Sequence, residues 1–145
     1  MRIDRTVAVA ALLGATAVGF AGPASAEDFS GLYSVDRSGP TAPGMAPGTA
    51  PMMWTVNPCG SGCANVVGDN GLKWPARLAD GRWTATVQRA DAVDCRNGTA
   101  APGTSVLSLD AETLQGTMVS TSDGPACGSP TPITGPSIFI IMDKA

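Results

Sequence analysis

The most constraining feature of this sequence is a run of strand residues that ends in two closely spaced cysteines. Trp54 and Val56 are separated by a single threonine, the two-residue period of a strand buried on one face. Pro58 follows, and because proline has no amide hydrogen for a central ladder, we expect the strand to end there. Between Cys59 and Cys63 lie three small residues that let the chain turn sharply. The stretch therefore predicts a β corner closed by a disulfide.

The N-terminus has the pattern of a secretory signal peptide. Two arginines precede an apolar run over Val7–Phe20, and a small-residue A-x-A pattern ends at Ala26. We expect cleavage between Ala26 and Glu27, which removes residues 1–26 and leaves residues 27–145 as one exported domain. The alternative is an uncleaved N-terminal anchor. No other apolar run approaches the roughly 20 residues of a membrane span, so we expect no stable membrane insertion after cleavage.

The chain has four cysteines, and an even number in an exported protein is typical of two disulfides. Four cysteines allow three pairings, and the spacing favours Cys59–Cys63 together with Cys95–Cys127. Chain-entropy arguments assign about 2 kcal/mol to the short loop and nearly 4 kcal/mol to the long one. The spacing does not form two zinc-ligand pairs, so we expect no metal and no cofactor.

The exported part of the chain predicts an all-β fold. No window shows apolar residues at helical spacing, whereas short alternating runs recur between turn residues. About eight short strands predict an antiparallel meander, either a small lipocalin-like barrel or a sandwich, in which the first and last strands can pair. The expected strands are Phe29–Val35, Met52–Val56, Ala64–Val67, Lys73–Ala79, Arg82–Gln88, Ser105–Leu109, Leu114–Ser120 and Ile138–Met142.

Three segments are expected to be loops, and one strand is expected to be weak. Residues 40–51 are rich in proline and glycine, which favours an extended surface loop. Asp91–Gly103 and Ser122–Pro136 are expected to be loops that each carry a cysteine. Pro75 indicates that its strand begins at a sheet edge or at a bulge. Asp80-Gly81 is the best hairpin turn in the chain.

The chain has no histidine, which removes the commonest general base and the usual catalytic triads. Asp91 and Asp94 flank Cys95 and are the candidate pair of carboxylates for a histidine-free hydrolase. Such aspartates are more often solvated turn residues, so we expect no catalytic residues. The net charge is −3 with scattered charges, which is unfavourable for binding nucleic acid.

The three tryptophans are expected to have different roles. Trp54 and Trp83 lie on regular strand faces, which predicts packing in the core. Trp74 precedes Pro75 in a turn-rich stretch and is expected to be partly exposed. An aromatic side chain at a barrel mouth can contact apolar or sugar ligands, so Trp74 is the candidate ligand contact.

Several short motifs together resemble a group of exported bacterial proteins. They are Trp54-x-Val56-x-Pro58-Cys59-Gly60-x-x-Cys63-Ala64, Gly81-Arg82-Trp83, Cys95, Thr113-Leu114-x-Gly116 and Cys127-Gly128. This pattern resembles small exported proteins of unknown function from mycobacteria and related actinobacteria. The resemblance implies export and a disulfide-stabilised β domain, and it brings no activity and no site residues.

These observations lead to one main expectation and two alternatives for function. We expect a monomeric, non-enzymatic β domain, secreted or envelope-associated, that binds a small apolar ligand, a glycan or a protein. The alternatives are a structural or antigenic envelope protein without a ligand, and the hydrolase that uses Asp91 and Asp94. If Trp54, Trp83, Phe139 and other apolar side chains fill the centre, the contact surfaces are the loops. The remaining side chains of that expected core are Leu107, Leu109 and Ile141, and the loops are 41–51 and 122–136.

Export from a bacterial host should yield a chain that begins at Glu27. The expected intact mass is that of residues 27–145 less about four hydrogens, because each disulfide removes two. A variant with Ala26→Arg disrupts the small-residue cleavage site and should retain residues 1–26. Recovery of unchanged protein with residues 1–26 attached would instead support the uncleaved anchor.

Overall fold

The computed structural model describes residues 29–38 and 51–145, and this part of the chain is all-β. The predicted signal segment and residues 40–50 of the predicted loop lie outside the described residues. No helix in the described ranges is long and apolar enough to cross a membrane. The strands are β1 (Gly31–Ser38), β2 (Met52–Gly60), β3 (Cys63–Val67), β4 (Lys73–Ala79), β5 (Arg82–Asp94), β6 (Ala100–Asp110), β7 (Gln115–Pro125), β8 (Pro132–Thr134) and β9 (Ile138–Lys144).

Eight of these strands close into an antiparallel barrel. Strands β1 to β7 each pair with the next along the chain, and β9 lies between β7 and β1. The pairing of β1 with β9 runs from Tyr33 opposite Lys144 to Ser38 opposite Phe139, which confirms the predicted contact of the first and last strands. The short β8 pairs only with the end of β7 and stands outside the barrel. The fold is therefore a barrel and not a sandwich.

The interior of the barrel is filled by side chains. Strand residues alternate between inside and outside, as the two-residue period of the sequence predicts. The ring of Phe29 lies between two other aromatic rings, 4.9 Å from Trp83 and 5.7 Å from Tyr33, centroid to centroid. The buried core comprises Phe29, Tyr33, Val35, Trp54, Val56, Ala64, Val66, Trp74, Ala76, Trp83, Ala85, Leu107, Leu109, Met118, Ile140 and Met142.

The last strand faces the core with the opposite set of residues from the one expected. Ile140 and Met142 are buried, whereas Phe139 is 41% exposed and Ile141 is only half-buried. The expectation that Phe139 and Ile141 fill the centre is therefore wrong. A continuous apolar run has no alternation to show which face is inward, so pairing with the neighbouring strands decides it.

Two of the predicted turns are present with the expected chemistry. Asp80 and Gly81 join β4 to β5 with φ of 52° and 73°, the positive values of a tight two-residue hairpin. Between β6 and β7, Asp110 Oδ1 accepts hydrogen bonds from the backbone N–H groups of Thr113 and Glu112, both 2.9 Å long. These bonds hold the pKa of Asp110 below its ordinary value.

Several strands extend further than their sequences suggest. β2 continues through Pro58 to Gly60, so the expectation that it ends at the proline is wrong. Pairing of β2 with β1 stops at Val56, and Pro58 therefore needs no N–H on that side. The expected loops at 91–103 and 122–136 also contain strand, because the β5–β6 and β7–β8 ladders continue through them.

Two glycines allow β6 and β7 to approach closely. A Cβ placed on Gly116 would lie 1.8 Å from the Ser108 carbonyl oxygen, and one on Gly103 would lie 2.0 Å from the Thr121 carbonyl oxygen. Both obstacles are backbone atoms, which cannot rotate away as a side chain can. The closed barrel thus depends on glycine at both positions.

Gly116→Ala should lower the free energy of unfolding by about 3 kcal/mol or more, because the added methyl group forces the β6 backbone to move. The matched control is Gly124→Ala on the same strand, where an added Cβ meets no atom within 4 Å. The control should change stability by less than about 0.5 kcal/mol. Urea denaturation followed by tryptophan fluorescence measures both, and equal losses would contradict the argument.

Candidate binding site

The two ends of the barrel are built differently. One end has the tight turns that join β2 to β3, β4 to β5 and β6 to β7. The other end, which we call the loop end, has the turn at residues 68–72, the long β5–β6 hairpin and the chain between β7 and β9. Strand β1 also ends at the loop end, at Ser38. The longer connections of the described chain therefore gather at one mouth of the barrel.

At the loop end the hydrogen-bond ladder between β4 and β5 is incomplete. β4 pairs with β3 from Lys73 to Arg77, but its pairing with β5 covers only residues 76–79. Pro75 has no N–H to donate, so it cannot continue the β4–β5 ladder beyond Ala76. The edge expected at Pro75 is therefore present where β4 faces β5, and the pairing of β4 with β3 is not interrupted.

A disulfide ties the β5–β6 hairpin to the chain that follows β7. Cys95 lies directly after β5 and is bonded to Cys127, 32 positions further along the chain. The Cys95 backbone N–H also donates to the Thr99 carbonyl oxygen, which closes the turn of the hairpin. The second disulfide, Cys59–Cys63, lies at the opposite end of the barrel. Both disulfides pair the cysteines that the spacing favours.

Three cavities at the loop end meet at Arg89. The smallest, about 50 Å³, lies over Trp54 and Trp74, and the second, about 170 Å³, extends to Ile138. The third, about 400 Å³, is an open cavity between residues 70–72 and residues 88–91. Arg89 lines all three cavities. The arrangement differs from a lipocalin-like interior cavity, because the openings lie above a filled core.

Two arginines face this mouth from opposite walls. Arg37 and Arg89 occupy inward positions on β1 and β5, which are four strands apart in either direction around the barrel. The Arg89 side chain is only 20% exposed, and its Nη2 lies 3.2 Å from Asp91 Oδ1. Arg37 is exposed and has no ion pair among the described residues. Both arginines line the two smaller cavities together with Met118.

These arginines were not identified from the sequence, although a signal for them exists. Tyr33 and Val35 alternate inward on β1, and the same two-residue period leads to Arg37. On β5, Ala85 and Val87 lead in the same way to Arg89. A charged residue at an inward position just beyond a buried run indicates the mouth of a barrel.

Trp74 is buried, which corrects the expectation that it is partly exposed. Only 3% of its surface is accessible, because Trp74 holds an inward position on β4 and Pro75 leaves the pairing with β3 intact. Its side chain nevertheless lines the small cavity beside Trp54. A contact between Trp74 and a ligand stays a prediction.

Asp91 and Asp94 line the cavity of about 170 Å³, but each also has a local partner. Asp91 pairs with Arg89, and Asp94 Oδ1 accepts a hydrogen bond of 2.8 Å from the Arg96 backbone N–H. Both aspartates are exposed, and these contacts are typical of turn residues. Within residues 29–38 and 51–145, no three acidic or cysteine side chains cluster as metal ligands. The hydrolase alternative stays a prediction.

A larger opening, about 580 Å³, lies at the tight-turn end between residues 78–82 and 110–112. Its polar groups stabilise the turns themselves. Arg82 Nε donates to Ser108 Oγ over 2.9 Å, and Asp110 holds the β6–β7 turn as described above. We therefore place the candidate site at the loop end.

Comparison with known proteins provides no relative: no protein-family model, no curated protein and no solved structure matches the chain significantly. The function is consequently argued from the geometry of the loop end alone.

Replacing both Cys95 and Cys127 with serine should lower the free energy of unfolding by about 4 kcal/mol, because the bond closes a long loop. Replacing Cys59 and Cys63 with serine should lower it by only about 2 kcal/mol. Chemical denaturation of the two double variants measures both effects. A larger loss from the short bridge would show that the long bridge does not stabilise the loop end as argued.

Proposed function

We propose that this protein is a non-enzymatic extracellular binding module whose contact surface is the loop end of the barrel. One observation carries the proposal: the core is filled, while three cavities above it converge on the inward-facing Arg89. Concave openings with apolar walls and a few convergent polar groups are the usual form of binding sites. The two disulfides fit a protein that works in an oxidising compartment.

The position of the two arginines favours binding over a purely structural role. Arg89 is largely withdrawn from water next to Met118, which costs free energy that an apolar residue at the same place would not. A surface that served only stability has no need for a second cation, Arg37, on the opposite wall. Two cations beside the apolar side chains that line the same cavities suit a ligand with both polar and apolar groups.

The tryptophan indoles provide a direct test by NMR. A Cβ on Gly68 would lie 3.6 Å from Trp54 Nε1, so this indole nitrogen lies beside the turn at the mouth. Titration with a panel of small carboxylates, sugars and apolar compounds should shift the Trp54 and Trp74 indole signals. The Trp83 signal should remain unchanged, because Trp83 packs deep in the core against Phe29.

Arg89→Gln should lower the affinity for any ligand found in this way by about tenfold or more. This is the loss expected when a buried charge-assisted hydrogen bond is removed. Arg77→Gln, on the outward face of β4, is the matched control and should leave affinity unchanged. NMR chemical-shift changes confined to residues at the tight-turn end would contradict the proposed site. Absence of binding across the panel and to peptides would favour the structural alternative.

A further inference from the structure

Two asparagines of this chain are followed by glycine, the residue that least obstructs attack on the side chain before it. They are Asn70, in the turn between β3 and β4, and Asn97, in the turn between β5 and β6. Glycine has no Cβ, so its backbone nitrogen can approach Cγ, the amide carbon of the preceding asparagine. By sequence the two sites are equivalent, but their surroundings in the structure differ.

The turn at Asn97 is exposed and favours a glycine after the asparagine. Asn97, Gly98 and Thr99 are all exposed at the tip of the β5–β6 hairpin. Gly98 has a φ of 83°, in the left-handed region that side chains rarely adopt. A Cβ placed on Gly98 would meet no atom of another described residue within 4 Å, apart from its chain neighbours. The site is therefore open to water.

The Asn97 side chain folds forward over Gly98. Its Oδ1 accepts a hydrogen bond of 3.0 Å from the Thr99 backbone N–H and a second hydrogen bond from the Thr99 hydroxyl. The first bond closes a small ring that contains both Asn97 Cγ and the Gly98 nitrogen. Both donors point at the oxygen that becomes negatively charged when a nucleophile adds to Cγ. The turn therefore orients the reacting atoms and stabilises the charge that develops during attack.

The backbone nitrogen that would attack is also unoccupied in this turn. Within the described part of the chain, the Gly98 N–H donates no hydrogen bond to the protein. The hydrogen bond that closes the turn joins the Cys95 N–H to the Thr99 carbonyl oxygen and does not involve Gly98. Removal of the proton from the Gly98 nitrogen therefore breaks no contact within the hairpin.

Asn70 is held in a less reactive arrangement. The Gly71 N–H donates a hydrogen bond of 3.0 Å to the Gly68 carbonyl oxygen, and this bond must break before the Gly71 nitrogen can attack. Asn70 Oδ1 accepts a hydrogen bond of 3.0 Å from the Leu72 backbone N–H, but leucine has no hydroxyl to provide a second donor. The fold therefore distinguishes two dipeptides that are identical in sequence.

We propose that Asn97 is a site of spontaneous deamidation in the folded protein and reacts faster than Asn70. The Gly98 nitrogen loses its proton to solvent and forms a bond to Asn97 Cγ. The Cγ–Nδ2 bond then breaks, and the side-chain amino group takes a proton from solvent and leaves as ammonia. Water opens the resulting succinimide to aspartate or isoaspartate, which adds a carboxylate to the loop end. The proposal is independent of the proposed binding function.

Mass spectrometry of the aged, disulfide-bonded protein tests the proposal. The protein is incubated in mildly alkaline water labelled with heavy oxygen, then reduced and digested with trypsin. Fragment 97–144 contains no asparagine except Asn97, and in fragment 38–73 only Asn70 is followed by glycine. Each reacted fragment gains about 3 Da, because a labelled hydroxyl replaces an amino group. Fragment 97–144 should gain this mass at least about tenfold faster in the folded protein, and at a similar rate in reduced, unfolded protein.

Variants at the exposed Thr99 test the role of its hydroxyl. Thr99→Val keeps the backbone N–H but loses the hydroxyl, so it should slow the reaction at Asn97 by about fivefold or more. Thr99→Ser keeps the hydroxyl and is the matched control, which should react at nearly the original rate. Three outcomes would overturn the proposal. They are equal rates at Asn70 and Asn97 in the folded protein, the same ratio of rates in folded and unfolded protein, and an unchanged rate in Thr99→Val.

Discussion

The structure depends on the closure of a backbone hydrogen-bonded ladder around a small apolar core. The short domain cannot bury both faces of its sheet, so each strand turns one row of side chains inward and leaves the other in water. Pairing of β1 with β9 removes the two edges that an open meander would have. The aromatic side chains of Phe29, Tyr33 and Trp83 then fill one part of the enclosed volume.

Neighbouring strands approach closely where glycine permits it, and a ladder between strands stops where proline interrupts it. At Gly103 and Gly116 the β6 and β7 backbones approach too closely for any Cβ. At Pro75 the opposite happens, because the missing N–H ends the β4–β5 ladder and β5 departs with β6 as a long hairpin. Cys127 holds the far end of that hairpin through its bond to Cys95. The loop end thus combines an interrupted ladder with a disulfide.

The strands and turns with strict alternation could be predicted from the sequence, and the continuous or interrupted ones could not. Asp80-Gly81 and the alternating runs around Trp83 and Leu107 have the local chemistry that their structure requires. The apolar run around Phe139 has no alternation, so only its neighbours decide which side chains face inward. The candidate site was missed for a related reason. Arg37 and Arg89 are 52 positions apart, and they line the same cavity only because the barrel brings β1 and β5 to face each other.

By itself, the sequence determined the all-β class, the number of strands to within one, the main hairpins and the favoured disulfide pairing. These properties follow from residue periodicity, turn chemistry and short separations along the chain, all of which are local. Only the tertiary structure decided that the meander closes into a barrel, that its interior is filled and that Trp74 is buried. It also decided that Pro75 interrupts the β4–β5 ladder and leaves the β3–β4 ladder intact, because which neighbour lacks a hydrogen bond depends on strand register between distant parts of the chain.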